Sequence, residues 1–147
     1  MRQLPKRPAL PEDTAKKLAQ KTTLIEGAAD PVEKAETLYT SARKTNWFRV
    51  VTRKLGKIAG PGERCMFCSG SEAAQVEHFR PKSAFPRLAM NWENFIWSCG
   101  LCNQFKGTRF PPHTGPGAQF VNPVEENVWQ FFTLDSRGNL MPRWRID

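Results

Sequence analysis

The sequence predicts an α+β domain: helices first, then two strands and a helix held between paired cysteines, then a closing hairpin. Three observations lead there. Cys65-Met66-Phe67-Cys68 and Cys99-Gly100-Leu101-Cys102 are two C-x2-C pairs that use every cysteine of the chain and bracket 30 residues. Inside the bracket, QVEHF and NWENFIWS have the aromatic and β-branched content of strands. Ahead of it, residues 31–58 carry apolar side chains at helical spacing behind a strong start signal.

Taken in order, residues 1–11 hold three prolines and three cations and read as an extended arm, followed by a short helix from about Glu12 to Ile25. A stronger helix starts at 31, where Asp30 is an N-cap, Pro31 suits the first turn and Glu33 stands three positions after the cap. Ala35, Leu38, Tyr39, Ala42, Val51, Leu55 and Ile58 recur at near-helical spacing until Gly60-Pro61-Gly62 stops the run. The stripe breaks near Thr45 and Asn46, so one helix or two satisfy it. After the first cysteine pair, QVEHF is a strand ended by Pro81, SAFPRLAM a loop, NWENFIWS a second strand, and NQFKG about one helical turn before Gly107. His113 sits in the Pro/Gly loop PPHTGPG and reads as a surface residue. VWQFFTL and LMPRWRI flank DSRGN as a hairpin covering the core.

A chain of 147 residues suits one domain with appendages. We divide it into a basic helical region, 1–62, and a cysteine-bearing region, 63–147. The chain stops at Asp147 without a closing element, which raises the expectation of further residues beyond it. Apolar runs such as FIW fall far short of the roughly 20 residues of a membrane span, and MRQLPKRPAL lacks a signal-peptide centre. The expected setting is cytoplasmic, away from membranes, where thiols stay reduced. Four thiols at this spacing make a closed tetrahedral S4 site of the kind that suits structural Zn2+. Buried cysteine pairs are the alternative, and a redox C-x-x-C fits less well because no βαβ pattern accompanies it.

The net charge of +8 is uneven, with 14 Lys/Arg against 7 Asp/Glu in residues 1–64. Arg43, Lys44, Arg49, Arg53, Lys54 and Lys57 lie in a stretch with no acid, interleaved with Trp47 and Phe48. Such a stretch can neutralise phosphates or be a solvated helix face. In VEHFRPKS, Glu77 and His78 stand beside Arg80 and Lys82. If the cysteine pairs pin the ends of the bracket together, His78 on the first strand, Asn94 on the second and Asn103 on the helix converge on one candidate site. Adjacent strand residues face opposite ways, so Glu77 and His78 can serve one site only where the strand ends or twists.

GERCMFC, VEHFRPKS, WENFIWSC and CNQFKGTRF, in that order, resemble the zinc-knuckle branch of the HNH endonucleases, which have the ββα-metal (His-Me finger) fold. The likeness runs from Cys65 to Phe110. More narrowly, E-H-F-R-P-K and C-N-x-x-K-G, each followed by F-P, resemble the HNH nuclease components of Septu-type and retron-associated anti-phage systems. The resemblance implies His78 as general base, Asn94 as the residue orienting it, and Glu77 and Asn103 as ligands of a catalytic Mg2+ or Mn2+. Asn91 is a rival for the role of Asn94. The set is H-N-N rather than H-N-H, and Glu77 replaces the commoner aspartate or histidine. The resemblance also implies hydrolysis of DNA and an ATPase partner that the N-terminal half could dock; an RNase on the same site is a further reading, since nothing in the sequence reads the sugar.

The chemistry agrees with those roles. An imidazole, with an ordinary pKa of about 6.5, can take a proton from water near neutral pH, and a carboxylate with an amide oxygen suits a hard divalent cation. Arg80 and Lys82 would hold the phosphate backbone, with Arg49, Arg53 and Lys54 extending the track. Lys106 either contacts phosphate or favours its helix dipole. A catalytically silent zinc module that binds nucleic acid or protein is the reading from a different class.

Overall fold

The computed structural model describes residues 4–70, 73–110 and 120–143. His113 and its loop lie outside them. The architecture is α+β, with four helices and two small antiparallel sheets among the described residues. No helix among them is long and apolar enough to cross a membrane.

Helix α1 spans Glu12–Glu26 and buries Thr14, Leu18 and Ile25. Helix α2, Pro31–Ala42, starts as its sequence demands: Asp30 Oδ1 accepts from the backbone N–H of Val32 at 2.9 Å and of Glu33 at 3.0 Å. The apolar stripe continues in a separate helix α3, Phe48–Ile58. Thr45 makes the break, its hydroxyl donating to the Ala42 carbonyl at 2.6 Å and accepting from Phe48 N–H at 3.4 Å. A side chain that satisfies backbone groups on both sides removes the need for a continuous helix.

Strands β1, Ala73–His78, and β2, Phe95–Cys99, pair antiparallel, with Val76 opposite Trp97, Glu77 opposite Ile96 and His78 opposite Phe95. Asn94, expected on the second strand, instead closes a 3-10 turn over Trp92–Asn94. The Asn91 side chain starts that turn by accepting from Glu93 N–H at 2.9 Å. Helix α4 runs Gly100–Lys106 and so begins inside the second cysteine pair, earlier than NQFKG implied. Cys99 Sγ caps it by accepting from Cys102 N–H at 3.4 Å, and Gly107 ends it at φ +50°, a conformation few other residues adopt.

One buried cluster joins Leu18, Ile25, Tyr39, Phe48, Val51, Leu55 and Ile58 to Met66, Phe79, Met90, Phe95, Ile96 and Trp97. Residues on both sides of position 62 therefore share apolar contacts. The first cysteine pair is tied to β2 through Met66 N–H to the Trp97 carbonyl at 2.9 Å and Trp97 Nε1–H to the Glu63 carbonyl at 2.9 Å. The N-terminal arm packs extended across this face: Arg7 Nη2 donates to the Phe95 carbonyl and Trp92 Nε1 to the Pro8 carbonyl. The hairpin of β3, Phe132–Leu134, and β4, Leu140–Pro142, forms around an Asp135-capped turn. It does not cover the core as its sequence implied, since Leu134 and Met141 stay 53% and 46% exposed.

Candidate functional site

The turns of both cysteine pairs bring their thiols together, with all four Sγ atoms within 4.8 Å of one another. Cys68 and Cys99 Sγ lie 3.9 Å apart, close to the roughly 3.8 Å edge of a tetrahedron with metal–sulfur bonds of about 2.3 Å. Backbone N–H groups of Gly70 and Cys102 point at Cys68 Sγ and Cys99 Sγ. Burial opposes ionisation of Cys65, yet N–H groups of Cys68, Cys99 and Phe67 bring its thiol down to about 7. Burial and the neighbouring thiols push Cys102 up. Four thiolates this close need a cation between them, and the cluster can hold a metal ion such as zinc.

His78 is the last residue of β1 and is 3% exposed. Tyr39 and Phe95 pack edge-on against its ring, with centroids 4.5 Å and 5.4 Å away. Its Nε2 lies 2.9 Å from the Ala89 carbonyl. A carbonyl only accepts, so Nε2 carries the proton and Nδ1 keeps its lone pair. Burial, with Lys82 and Lys106 nearby, brings the His78 pKa down to about 4 despite the opposing bond to Ala89. The imidazole is therefore neutral across the ordinary range of pH.

The carbonyl that orients His78 thus belongs to the backbone, and Asn94 acts one step removed. Its Oδ1 accepts from Arg80 N–H at 2.8 Å, and its Nδ2 donates to the carbonyls of Arg80 and Leu88, each at 3.0 Å. These bonds clamp the loop that leaves β1 to the residue preceding Ala89. Asn91, the rival, caps the 3-10 turn and bonds neither His78 nor Ala89.

Two adjoining cavities of about 450 and 330 Å³ share Glu77, His78, Lys82 and Asn103. Because β1 ends at His78, two neighbours in sequence serve one concavity. Asn103 Nδ2 donates to Gln75 Oε1 at 2.7 Å, which leaves its amide oxygen as the free acceptor. Glu77 Oε1 accepts from Lys106 Nζ at 3.1 Å. A carboxylate and an amide oxygen lining one polar cavity fit a hard divalent cation completed by water and phosphate.

The cations divide. Lys82 lines both cavities, pairs with Glu36 Oε2 at 3.1 Å and lies over the Tyr39 ring. Arg80, expected beside it, stacks over Phe85 and Phe110 and lines a separate cavity of about 380 Å³ with Asn94, Glu93 and Glu125. Lys106 is buried on Glu77 rather than offered to solvent. Lys54 Nζ donates to the Ala9 carbonyl, whereas Arg49, Arg53 and Lys57 are exposed one helical turn apart. Arg43 lines the larger cavity with His78. Sequence pattern placed Arg43 only in a basic run; its place at the C-terminal cap of α2, lining a cavity with residues of β1, depends on packing between elements distant in sequence.

The fold and site define a class: a small α+β protein with a four-thiol cluster beside a cavity that holds a neutral histidine, a carboxylate and an asparagine. No protein-family model and no solved structure matches the chain. Over 76 residues it is 35% identical to Septu protein PtuB of Bacillus thuringiensis, a match that covers 48% of this chain and 28% of that protein. The chain thus spans a minor part of the length of this relative.

The thiol cluster leads to a direct expectation. Native mass spectrometry should find one tightly held divalent metal ion per chain, and Cys99→Ser should lose it together with the cooperative unfolding transition, because metal-binding energy at such sites is folding energy. A metal-free protein that unfolds like the untreated one would contradict the assignment.

Proposed function

We propose that this chain is an HNH-type, metal-dependent endonuclease that cuts DNA as an effector of anti-phage defence. The reading is carried by His78, a buried, neutral imidazole whose proton is held on Nε2 by the Ala89 carbonyl. Similarity to Septu protein PtuB supports the defence role, and the ordered motifs from Cys65 to Phe110 support the nuclease class. Zn2+ is the ion we assign to the thiol cluster, in a structural role, since four thiolates leave no open position.

In this reading Nδ1 of His78 accepts a proton from water as that water attacks phosphorus in line, leaving a 5′-phosphate and a 3′-hydroxyl. The Ala89 carbonyl stabilises the imidazolium that forms. Lys82 and Arg43 hold the phosphodiester in the cavity they line. Glu77 and Asn103 would hold Mg2+ or Mn2+, whose chemistry is to stabilise charge growing on the phosphate oxygens. Arg49, Arg53 and Lys57, exposed one turn apart along α3, offer a positive stripe that suits a nucleic-acid backbone. An ATPase partner, as in Septu-type systems, would direct the activity.

The roles separate by experiment on duplex DNA, single-stranded DNA and RNA. His78→Ala should lower cleavage by on the order of 10² to 10⁴ with fold and nucleic-acid binding intact. Glu77→Ala and Asn103→Ala should regain activity as Mn2+ is raised, while His78→Ala should not. Equal rescue of all three, or full activity in His78→Ala, would remove the assignment.

A salt titration tests the outer surface. Arg49→Ala with Arg53→Ala should weaken binding to all sequences alike and flatten the salt slope by about one unit per lost phosphate contact. An unchanged slope would place the stripe outside the nucleic-acid path.

A further inference from the structure

Lys106 is the cation whose placement the proposed role of the site does not explain. Its side chain is 3% exposed, and its ammonium lies 3.1 Å from Glu77 Oε1 and 3.3 Å from the Gly107 carbonyl. A group so enclosed has no face left for a long phosphate backbone. It ties the C-terminal end of α4 to the penultimate residue of β1 and takes one of the two oxygens of Glu77.

The charge of the whole concavity gives this contact its consequence. Arg43 and Lys82 line it as cations and Glu36 and Glu77 as carboxylates, and Lys106 adds a third positive charge from behind Glu77, so the charges on and next to the concavity number three positive against two negative. Among the described residues, the cysteine cluster is the group of three or more His, Cys, Asp or Glu side chains spaced to hold a metal ion. The oxygen site offers one carboxylate, already paired. A divalent cation entering alone would meet net positive surroundings, whereas a phosphodiester brings both negative charge and oxygen ligands.

We propose that Lys106 is a positioning residue that makes binding of the divalent cation and of the nucleic-acid phosphate mutually dependent. This rests on the assignment of Glu77 and Asn103 as the cation's ligands. Lys106 holds Glu77 Oε1, leaves the other carboxylate oxygen for the cation, and opposes occupancy until phosphate arrives. Reciprocity follows: nucleic acid tightens the cation as much as the cation tightens nucleic acid.

Binding rather than turnover tests it. Zinc-loaded protein carrying His78→Ala, which keeps DNA intact, is titrated with Mn2+ by calorimetry, with and without a DNA oligonucleotide. The oligonucleotide should tighten Mn2+ roughly 5- to 100-fold, the usual range of such coupling. Adding Lys106→Met should tighten Mn2+ in the absence of DNA by on the order of tenfold, the effect of one removed like charge, and shrink the coupling; Lys106→Arg should restore both. Lys106→Gln provides the same comparison if the methionine variant fails to fold. Mn2+ affinity unaltered or weakened by loss of the Lys106 charge would overturn the inference while leaving the nuclease reading in place. Absence of Mn2+ binding in every variant, with DNA bound, would overturn both. Coupling as described, in a protein whose wild type cuts no nucleic acid, would uphold the inference and remove the enzymatic reading.

Discussion

The four-thiol cluster is the constraint on which the rest of the structure depends. Cys65 and Cys68 belong to a turn, Cys99 ends β2, and Cys102 lies in the first turn of α4. Gathering them fixes where β2 ends and caps α4 through Cys99 Sγ. Met66 N–H donates to the Trp97 carbonyl, Trp97 N–H donates to Met66 Sδ in return, and both residues sit in the same apolar cluster as the helices. A two-stranded sheet is marginal alone. Here it is closed at one end by sulfur and backed by Phe48, Val51 and Leu55 of α3.

The other end is closed by Asn94. One amide bonds three backbone groups, and the loop it fastens presents the Ala89 carbonyl to His78. Burial and that bond act together: the first keeps the ring uncharged, the second decides which nitrogen is free. A solvent-exposed histidine on the same strand would have neither property. Glu77 and Asn103 complete the cavity because β1 ends at His78, the end that Asn94 closes, while α4 begins within the second cysteine pair.

Features that reside in neighbouring residues were legible in the sequence. The two C-x2-C pairs and the Asp30 cap depend on side chains a few positions apart and form as read, and the interruption near Thr45, which left one helix or two open, resolves into two. Of His78, Asn94 and Asn103, expected to converge, His78 and Asn103 line one concavity with Glu77, whereas Asn94 lines the separate cavity that holds Arg80. What escaped depends on partners distant in sequence. NWENFIWS has strand composition throughout, yet β1 pairs only with Phe95–Cys99, and the residues ahead of them form a 3-10 turn. Lys106 looks like a helix-end lysine until β1 supplies Glu77, 29 residues away. Lys54 looks free until the N-terminal arm supplies a carbonyl. Arg80 and Lys82 sit two apart, and the proline between them sends them to different cavities.

The account stands or falls on the state of the His78 ring. Nitrogen-15 NMR of histidine-labelled protein resolves it readily, since the chain has two histidines and His78→Ala assigns them. Without added divalent metal, the account predicts a neutral Nε2–H tautomer with an unprotonated Nδ1 from about pH 5 to 8. A proton on Nδ1, or titration near the ordinary value of about 6.5, would contradict it.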